Sequence, residues 1–256
     1  MINLRPLVIL LGLLLLWQAV VWLTGVPHYL LPSPVAVGHT LVAQAPLLLD
    51  QAGITLLEIL LGLAGGVLIG GISALAMALL PPLQPWLLPI LVLGQTIPVF
   101  ALAPLLVLWF GYGLASKVVM AILIIYFPVA AALFDGLRGT RPGWLDLAHT
   151  MGAGRLRILL HLRLPAALPA FGSGLRIATA VAPIGAVVGE WVGSSAGLGY
   201  LMLHANARLQ IDVMFAALFV LMAMALALYV LVDRGLARLM PWAPQTLKAQ
   251  PQKSQP

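Results

Sequence analysis

The sequence predicts an all-α polytopic membrane protein with six transmembrane helices. Of its 256 residues, 62% are hydrophobic and only 8% are charged, whereas ordinary soluble domains carry roughly 25% charged residues. Apolar runs long enough to cross a bilayer recur along the chain. Helices satisfy their own backbone hydrogen bonds in lipid, and the alternating pattern of a membrane barrel does not occur in the sequence.

The first apolar run covers about residues 7–24 and follows Arg5. A cleaved signal peptide is the alternative, but the run is long and no small-x-small cleavage site precedes Pro27, so we interpret it as a first span. Apolar residues then recur at helical spacing over residues 35–50. This pattern predicts a short amphipathic helix on the outer surface, with an ordered loop as the alternative.

Five further apolar runs complete the predicted spans, at about residues 54–80, 86–110, 118–137, 170–191 and 213–232. Small residues repeat every fourth position in the second and fifth spans, at Gly62, Gly66 and Gly70 and at Gly185, Gly189 and Gly193. Such stripes allow another helix to approach closely, whereas Gly197 is assigned to a loop. Residues 1–245 form one transmembrane domain, and the polar tail 246–256 is predicted to be disordered.

The basic residues predict the orientation of the chain. With the N-terminus inside, Lys117 and Arg208 fall outside and Arg176 falls within span five, so ten of the 13 basic residues lie inside. Those ten are Arg5, Arg138, Arg141, Arg155, Arg157, Arg163, Arg234, Arg238, Lys248 and Lys253. The positive-inside rule therefore places both termini and the loop 138–168 in the cytoplasm. Because the basic residues cluster in particular loops, the positive-inside bias explains them better than nucleic-acid binding does. We therefore expect no nucleic-acid partner.

The loop between spans four and five is basic, polar and rich in turn signals. Residues 146–151 can form a short helix. Asp146 would lie in its first turn, where the helix dipole stabilises an acidic side chain. Gly152 and Gly154 permit a reversal, and a second helix over 156–162 is limited by Pro165. Its apolar face consists of Leu156, Leu159 and Leu160. An exposed helix–turn–helix suits a groove in a partner protein, and a basic loop held near anionic lipid headgroups is the alternative.

The same loop resembles the cytoplasmic EAA loop of the membrane subunits of ABC importers. In that pattern Glu-Ala-Ala is followed after three residues by Gly, and after nine more by Ile-x-Leu-Pro. The chain matches every spacing with Asp for Glu, Leu for the first Ala and Leu for Ile. The resemblance implies a type I ABC importer permease fold and contact of this loop with an ATPase. The implied coupling residues are Asp146, Ala148, Gly152, Leu156, Leu159, Leu162, Leu164 and Pro165.

Two other stretches resemble one branch of these importers. They are GQTIPVFALAPLLVLWFGYG (94–113) and GEWVGSSAGLGYLMLHANARLQID (189–212). The branch contains permeases for nitrate, sulfonates and taurine. Within it, residues 189–212 most resemble permeases for thiamine pyrimidine precursors such as hydroxymethylpyrimidine. The resemblance implies cytoplasmic ATPase subunits, an extracytoplasmic binding protein and the bacterial inner membrane. A homodimer is the simplest way to build a two-fold pathway from one such chain.

The chain itself is predicted not to be an enzyme. No G-x-x-x-x-G-K-[ST] motif occurs, and none of the three lysines follows a glycine, so ATP hydrolysis is assigned to a separate subunit. With no cysteine and five scattered histidines, we expect no metal site and no cofactor. The alternative function is an ATP-independent secondary transporter or channel. It would need an inverted repeat or a buried proton relay, and the sequence offers neither.

Polar residues within the spans are candidates for the solute pathway. Gln95 and Thr96 lie beside Pro98 in the third span and either line the pathway or form interhelical hydrogen bonds. Glu190 lies near the outer end of span five, as a gate, a contact for the binding protein or a solvated rim charge. Glu58 and Arg176 are costly charges within spans. Their depths differ by roughly 10 Å at 1.5 Å per residue, which argues against direct pairing.

Overall fold

A computed structural model describes residues 5–242 of the chain, with side chains from residue 8 onward. Within this range the protein is helical and contains no strand. The helices in chain order are α1 (Arg5–Thr24), α2 (Pro34–Ala43), α3 (Ala45–Leu79), α4 (Gln84–Thr96), α5 (Val99–Phe110), α6 (Leu114–Arg138), α7 (Pro142–Thr150), α8 (Arg155–Ile158), α9 (Leu164–Gly193), α10 (Leu198–Ala207) and α11 (Ile211–Leu239). The tail predicted to be disordered, 246–256, lies outside the described residues.

Four helices are long and apolar enough to cross a membrane. They are α3, α6, the continuous helix Arg155–Gly193 and α11. A bent pair, Pro81–Thr96 with Val99–Phe110, adds a fifth crossing if the pair counts as one. The shorter apolar helix α1 packs its Trp17 against Phe215 and Phe219 of α11. The all-helical, membrane-spanning class is therefore confirmed, and the count of six spans stays a prediction.

The centre of the molecule is a tightly packed group formed by α3, α6 and α9. Ile59, Ile125 and Ala178, one from each helix, are completely buried in a shared cluster. The glycine stripes make this close approach possible, since an added Cβ at Gly66 would lie 2.5 Å from the side chain of Ile125. At Gly185 it would lie 2.9 Å from the backbone of Ala121. The prediction of small-residue packing faces is confirmed in both helices.

The third predicted span is not a single helix. The chain bends by 105° between α4 and α5, and Ile97 takes an extended conformation with φ −74° and ψ 123°. Pro98 causes this break in two ways. It has no N–H to continue the helical ladder, and its ring disfavours a helical conformation at the preceding residue. Residues 86–110 therefore form two helices, and their crossing of the membrane as one span stays a prediction.

The fifth predicted span begins much earlier than expected. One helix runs from Arg155 to Gly193, so Pro165 does not separate a loop helix from a membrane helix. The five residues Leu159–Arg163, which end two positions before this proline, form a π-helical turn. A proline ring clashes with the carbonyl four residues earlier in a regular α-helix, and the wider π turn relieves this conflict. The prediction that the helix stops there is therefore wrong.

The helical bundle has two ends, which we name by the residues they hold. At the loop end, Met77 of α3, Leu137 of α6 and Leu159 share a buried cluster. At the cap end, side chains of α3 and α9 meet, with Thr55 hydrogen-bonded to Glu190. Consequently α3 and α6 run from the cap end to the loop end, and the long helix runs back. The segment α7–α8 lies at the loop end.

The short amphipathic helix predicted after residue 34 is present as α2. Its N-cap is Ser33, whose hydroxyl accepts a hydrogen bond from Ala36 N–H at 3.2 Å. Val37 and Thr40 are buried, and the Thr40 hydroxyl donates to Asp212 at 2.9 Å. The helix is shorter than predicted, because residues 45–50 already belong to α3.

Candidate functional site

The loop end carries a helix, a tight turn and a second helix, as predicted. Helix α7 begins at Pro142, whose fixed φ and missing N–H suit a first helical position. At its end the N–H of Gly152 donates to His149 O at 2.9 Å, and the N–H of Ala153 donates to Ala148 O at 3.0 Å. This pair of bonds is a Schellman cap, and it holds Gly152 at φ +72°.

The reversal depends on the backbone of Gly152. An added Cβ there would meet no atom within 4 Å, so the constraint is conformational rather than spatial. Gly154, which was predicted to share in the reversal, is the N-cap of α8 with φ −71°, a value that any residue adopts. The turn therefore requires one left-handed residue.

Asp146 lies in the middle of α7 and is exposed. The prediction placed it in the first turn, but the helix begins four residues earlier, at Pro142. The favourable interaction of an acid with the helix dipole is confined to the first turn, so that expectation is wrong. Among the described residues, Asp146 forms no ion pair.

An apolar groove of about 690 Å³ lies between α7 and the start of the long helix. Its walls include Trp144, Leu147, Met151, Ile158, His161 and Leu162. Leu147 is 61% exposed and Met151 is 78% exposed. Clustered large apolar side chains on a basic loop are typical of a surface that a partner covers. We call this surface the α7 groove.

The implied coupling residues divide between the α7 groove and its surroundings. Ala148 and Leu162 line the groove, and Gly152 forms its turn. Leu156 is 58% exposed beside the turn, and Pro165 is exposed farther along the helix. Of these residues, Ala148 and Leu162 are the two whose atoms line the groove itself.

Leu159 is placed differently from the rest. It is buried with Leu137, in a cluster against which Leu164 also packs. The predicted apolar face of Leu156, Leu159 and Leu160 is therefore split, because only Leu156 and Leu160 are exposed. The second helix is apolar on both sides, so residue spacing alone does not identify the side that faces the core.

The predicted pathway residues of the third span lie at the bend. Gln95, Thr96 and Pro98 are all exposed in the single chain. The Thr96 hydroxyl donates to Leu93 O at 2.8 Å, within its own helix. Their role in transport stays a prediction. Glu190, the fourth candidate, lies elsewhere, in the interior of the cap end.

Glu190 is 1% exposed, so its interpretation as a solvated rim charge is wrong. Its carboxylate accepts a hydrogen bond from the Thr55 hydroxyl at 2.6 Å. It also accepts from the backbone N–H groups of Gly199 and Tyr200, in the first turn of α10. Glu190 thus caps α10 although it belongs to another helix. Its carboxylate pairs with N–H groups that have no partner within α10, and the positive end of the helix dipole stabilises its negative charge. Gly197 passes directly over the carboxylate.

A second buried carboxylate, Glu58, lies at the same end. It is 0% exposed, and its Oε1 is 3.4 Å from Nζ of Lys117. The lysine also donates to Ser194 Oγ at 2.7 Å. Sequence reasoning assigned Lys117 to an outer loop and missed this pair. The signal was available in the cost of a lone charge in a span, which requires a partner at similar depth.

Arg176, the other charge within the spans, pairs with Asp233 rather than with Glu58. Its Nε donates to Oδ1 of Asp233 at 2.6 Å, which connects α9 to α11. The expectation that Arg176 and Glu58 do not pair directly is confirmed. Asp233 was overlooked because it falls at the end of an apolar run, just before Arg234.

Comparison with known proteins identifies the family. The family described as "Binding-protein-dependent transport system inner membrane component" matches residues 66–242. The chain belongs to this family. It is a permease subunit of an ABC transporter, a membrane component rather than the ATPase. The resemblance of the chain to ABC transporter permeases is thereby confirmed.

Relatives of the permease extend over nearly its whole length. It is 62% identical over 230 residues to a probable ABC transporter permease protein of Haemophilus influenzae, covering 90% of this chain and 94% of the relative. It is 37% identical over 240 residues to a formylaminopyrimidine transport permease protein of Halalkalibacterium halodurans, covering 93% and 96%. A solved methionine ABC transporter in inward-facing conformations is 20% identical with a TM-score of 0.67, covering 77% of this chain and 98% of that one. This last likeness concerns the fold.

Family membership implies a membrane location in the inner membrane and two kinds of partner. These are an ATPase and a substrate-binding protein. Exposed surface is present at both ends of the described permease, in the α7 groove at the loop end and on α10 at the cap end.

Proposed function

We propose that the permease forms the transmembrane pathway of an ATP-driven importer, with the loop end in the cytoplasm and both termini inside. The α7 groove is the observation that carries this proposal. Its exposed Trp144, Leu147 and Met151 form an apolar surface. Arg157 lines the groove, Arg141 lies over the Trp144 ring, and Arg155 and Arg163 line the adjoining pocket. The arginines support a cytoplasmic location, and the apolar walls suit an ATPase subunit as occupant.

The coupling residues act in this proposal at two levels. Ala148, Leu162 and the exposed Leu156 contact the ATPase. Leu159 transmits the displacement, since it packs in the core cluster with Leu137 at the end of α6. The continuous helix Arg155–Gly193 extends from the groove to the cap end. A force applied at its start therefore reaches Glu190 through one rigid element.

The transported solute is a thiamine pyrimidine precursor such as hydroxymethylpyrimidine, delivered by an extracytoplasmic binding protein. Support comes from the 37% identity to a formylaminopyrimidine permease over 93% of the chain. Nitrate, a sulfonate or taurine is the second candidate, supported by the resemblance of residues 94–113 to permeases of that branch.

The pathway lies between two copies of the permease. Gln95 and Thr96 are exposed at the bend, together with the apolar Leu93 and Phe100, which are 60% and 67% exposed. Polar groups in a membrane span tend to face protein or water rather than lipid. A second copy meeting this face would bring both pairs of polar side chains to a common axis.

Reconstitution tests the proposal. The permease is placed in proteoliposomes with its ATPase inside and its binding protein outside, and uptake of labelled hydroxymethylpyrimidine and of labelled taurine is measured. We expect ATP-dependent uptake of the pyrimidine, inhibited by unlabelled pyrimidine and not by taurine. Uptake by the permease alone under an ion gradient would favour an ATP-independent transporter or channel instead.

A further inference from the structure

A second, smaller pocket lies at the loop end beside the α7 groove. It has a volume of about 270 Å³ and is lined by Leu79, Pro81, His149, Arg155, Leu159 and Arg163, among others. It joins three elements, namely the end of α3, the end of α7 and the start of the long helix. A pocket of this size is close to the lower limit for small-molecule sites, so it fits a compact group.

The two arginines of this pocket have no acidic partner. All seven Asp and Glu residues of the chain lie within the described residues. The two ion pairs found there are Lys117–Glu58 and Arg176–Asp233, so neither Arg155 nor Arg163 has a carboxylate within 4.0 Å. Two positive charges therefore line one small pocket without neutralisation by the described residues.

Arg163 provides a second, independent observation. Its Nε is buried and has no hydrogen-bond partner among the described residues. Buried donors are nearly always paired with protein or with a bound molecule, so an unpaired one calls for an explanation. The helix N-terminus at Arg155 adds backbone N–H groups without a side-chain cap, which also favour an anion.

We propose that this pocket binds a phosphate group. Guanidinium groups match phosphate oxygens in pairs, and His149 can add a further contact. The apolar wall formed by Leu79, Pro81 and Leu159 suits the glycerol and acyl stem of a lipid. A basic pocket at the ends of membrane helices lies at the depth of headgroups, so the phosphate comes from an anionic lipid or from a free anion in solution.

An occupied pocket has a mechanical consequence. The phosphate would join the end of α7, at His149, to the start of the long helix, at Arg155 and Arg163, beside the end of α3 at Leu79. Because the α7 groove shares Ile158 with this pocket, such a bridge would hold the groove in place relative to the bundle. The site is independent of which solute is transported.

Native mass spectrometry on the full-length permease in a neutral detergent tests the site. Binding of short-chain phosphatidylglycerol and phosphatidylcholine is titrated for the unaltered protein, for Arg155→Gln with Arg163→Gln, and for Arg238→Gln. Arg238 is an exposed arginine at the end of α11 that does not line the pocket. We expect phosphatidylglycerol affinity to fall about tenfold in the double variant, because charge-assisted hydrogen bonds are lost, and to be unchanged in the control.

Competition with inorganic phosphate separates the two sources. If phosphate displaces phosphatidylglycerol, the pocket accepts the free anion; if it does not, the headgroup and its stem are required, and either result supports a phosphate site. If Arg163→Gln does not fold, Arg155→Glu serves as the second variant, because Arg155 is exposed. Equal lipid binding by the altered and unaltered proteins would overturn the proposal. Loss of ATPase association with unchanged lipid binding would overturn it as well, because the arginines would then face a partner's acids.

Discussion

Arg176 donates from Nε to Oδ1 of Asp233 at 2.6 Å, which joins α9 to α11 within the helical bundle. The two side chains are 12% and 8% exposed. A charge in this environment is tolerated when its partner is present, because each charge offsets the desolvation cost of the other. The pair therefore fixes the two helices relative to each other.

Removal of one partner of this pair should destabilise the permease strongly. For Arg176→Leu we expect a loss of about 3–5 kcal/mol, because Asp233 is left buried and unpaired. The double variant Arg176→Leu with Asp233→Leu should recover most of that loss. Thermal unfolding in detergent measures both, and effects that simply add would contradict a direct pairing.

Gly197 should tolerate no side chain. Its φ is +109°, and an added Cβ would overlap the carboxylate of Glu190. We expect Gly197→Ala to lower the thermal stability by at least the ~1–2 kcal/mol of left-handed strain. Gly113→Ala is the matched control, because Gly113 has φ −91° and open space around it. Equal melting temperatures for the two variants would refute the close contact.

Gly152 should be essential for coupling through its backbone conformation. Gly152→Val should abolish ATP-dependent uptake although the protein still reaches the membrane, because a β-branched residue resists φ +72°. Gly152→Asn should keep a large part of the activity, since asparagine adopts left-handed conformations more readily. Gly154→Ala should be close to normal. Uptake and ATPase stimulation are measured together, and normal coupling in the valine variant would rule out this role.

Two leucines near the α7 groove should separate partner binding from stability. Leu147 is 61% exposed, so Leu147→Ser should weaken ATPase association while the melting temperature is unchanged. Leu159 is 3% exposed, so Leu159→Ala should lower the stability by about 2 kcal/mol or more through the cavity it leaves. Crosslinking yield to the ATPase and thermal unfolding are compared for both. The reverse pattern would show that the groove is not the contact surface.

Much of the architecture could be predicted because the membrane imposes strong constraints. Apolar run length located α3, α6 and α11, and the four-residue spacing of glycines identified the faces at which α3 and α9 meet α6. The reversal at Gly152 followed from the conformational freedom of the glycines at 152 and 154. In each case a short-range pattern determines the local structure.

The errors arose where tertiary contacts decide the outcome. Pro165 reads as a helix stop, yet the π turn before it lets the helix continue. Glu190 reads as a rim charge, but its partners are a hydroxyl 135 residues earlier in α3 and the amides of the following helix. Asp233 gave no signal of its pairing with Arg176, since the two are 57 residues apart. Spacing along a chain carries no information about such distant partners.

The bend at Pro98 has a consequence for the surroundings of the molecule. Ending one helix and starting another leaves carbonyl and amide groups without partners in the ladder, and hydrocarbon cannot solvate them. Irregular backbone is tolerated at membrane depth only beside other protein or a water-filled cavity. At membrane depth, the side of the permease that carries the 105° bend would therefore need to face protein or water rather than acyl chains.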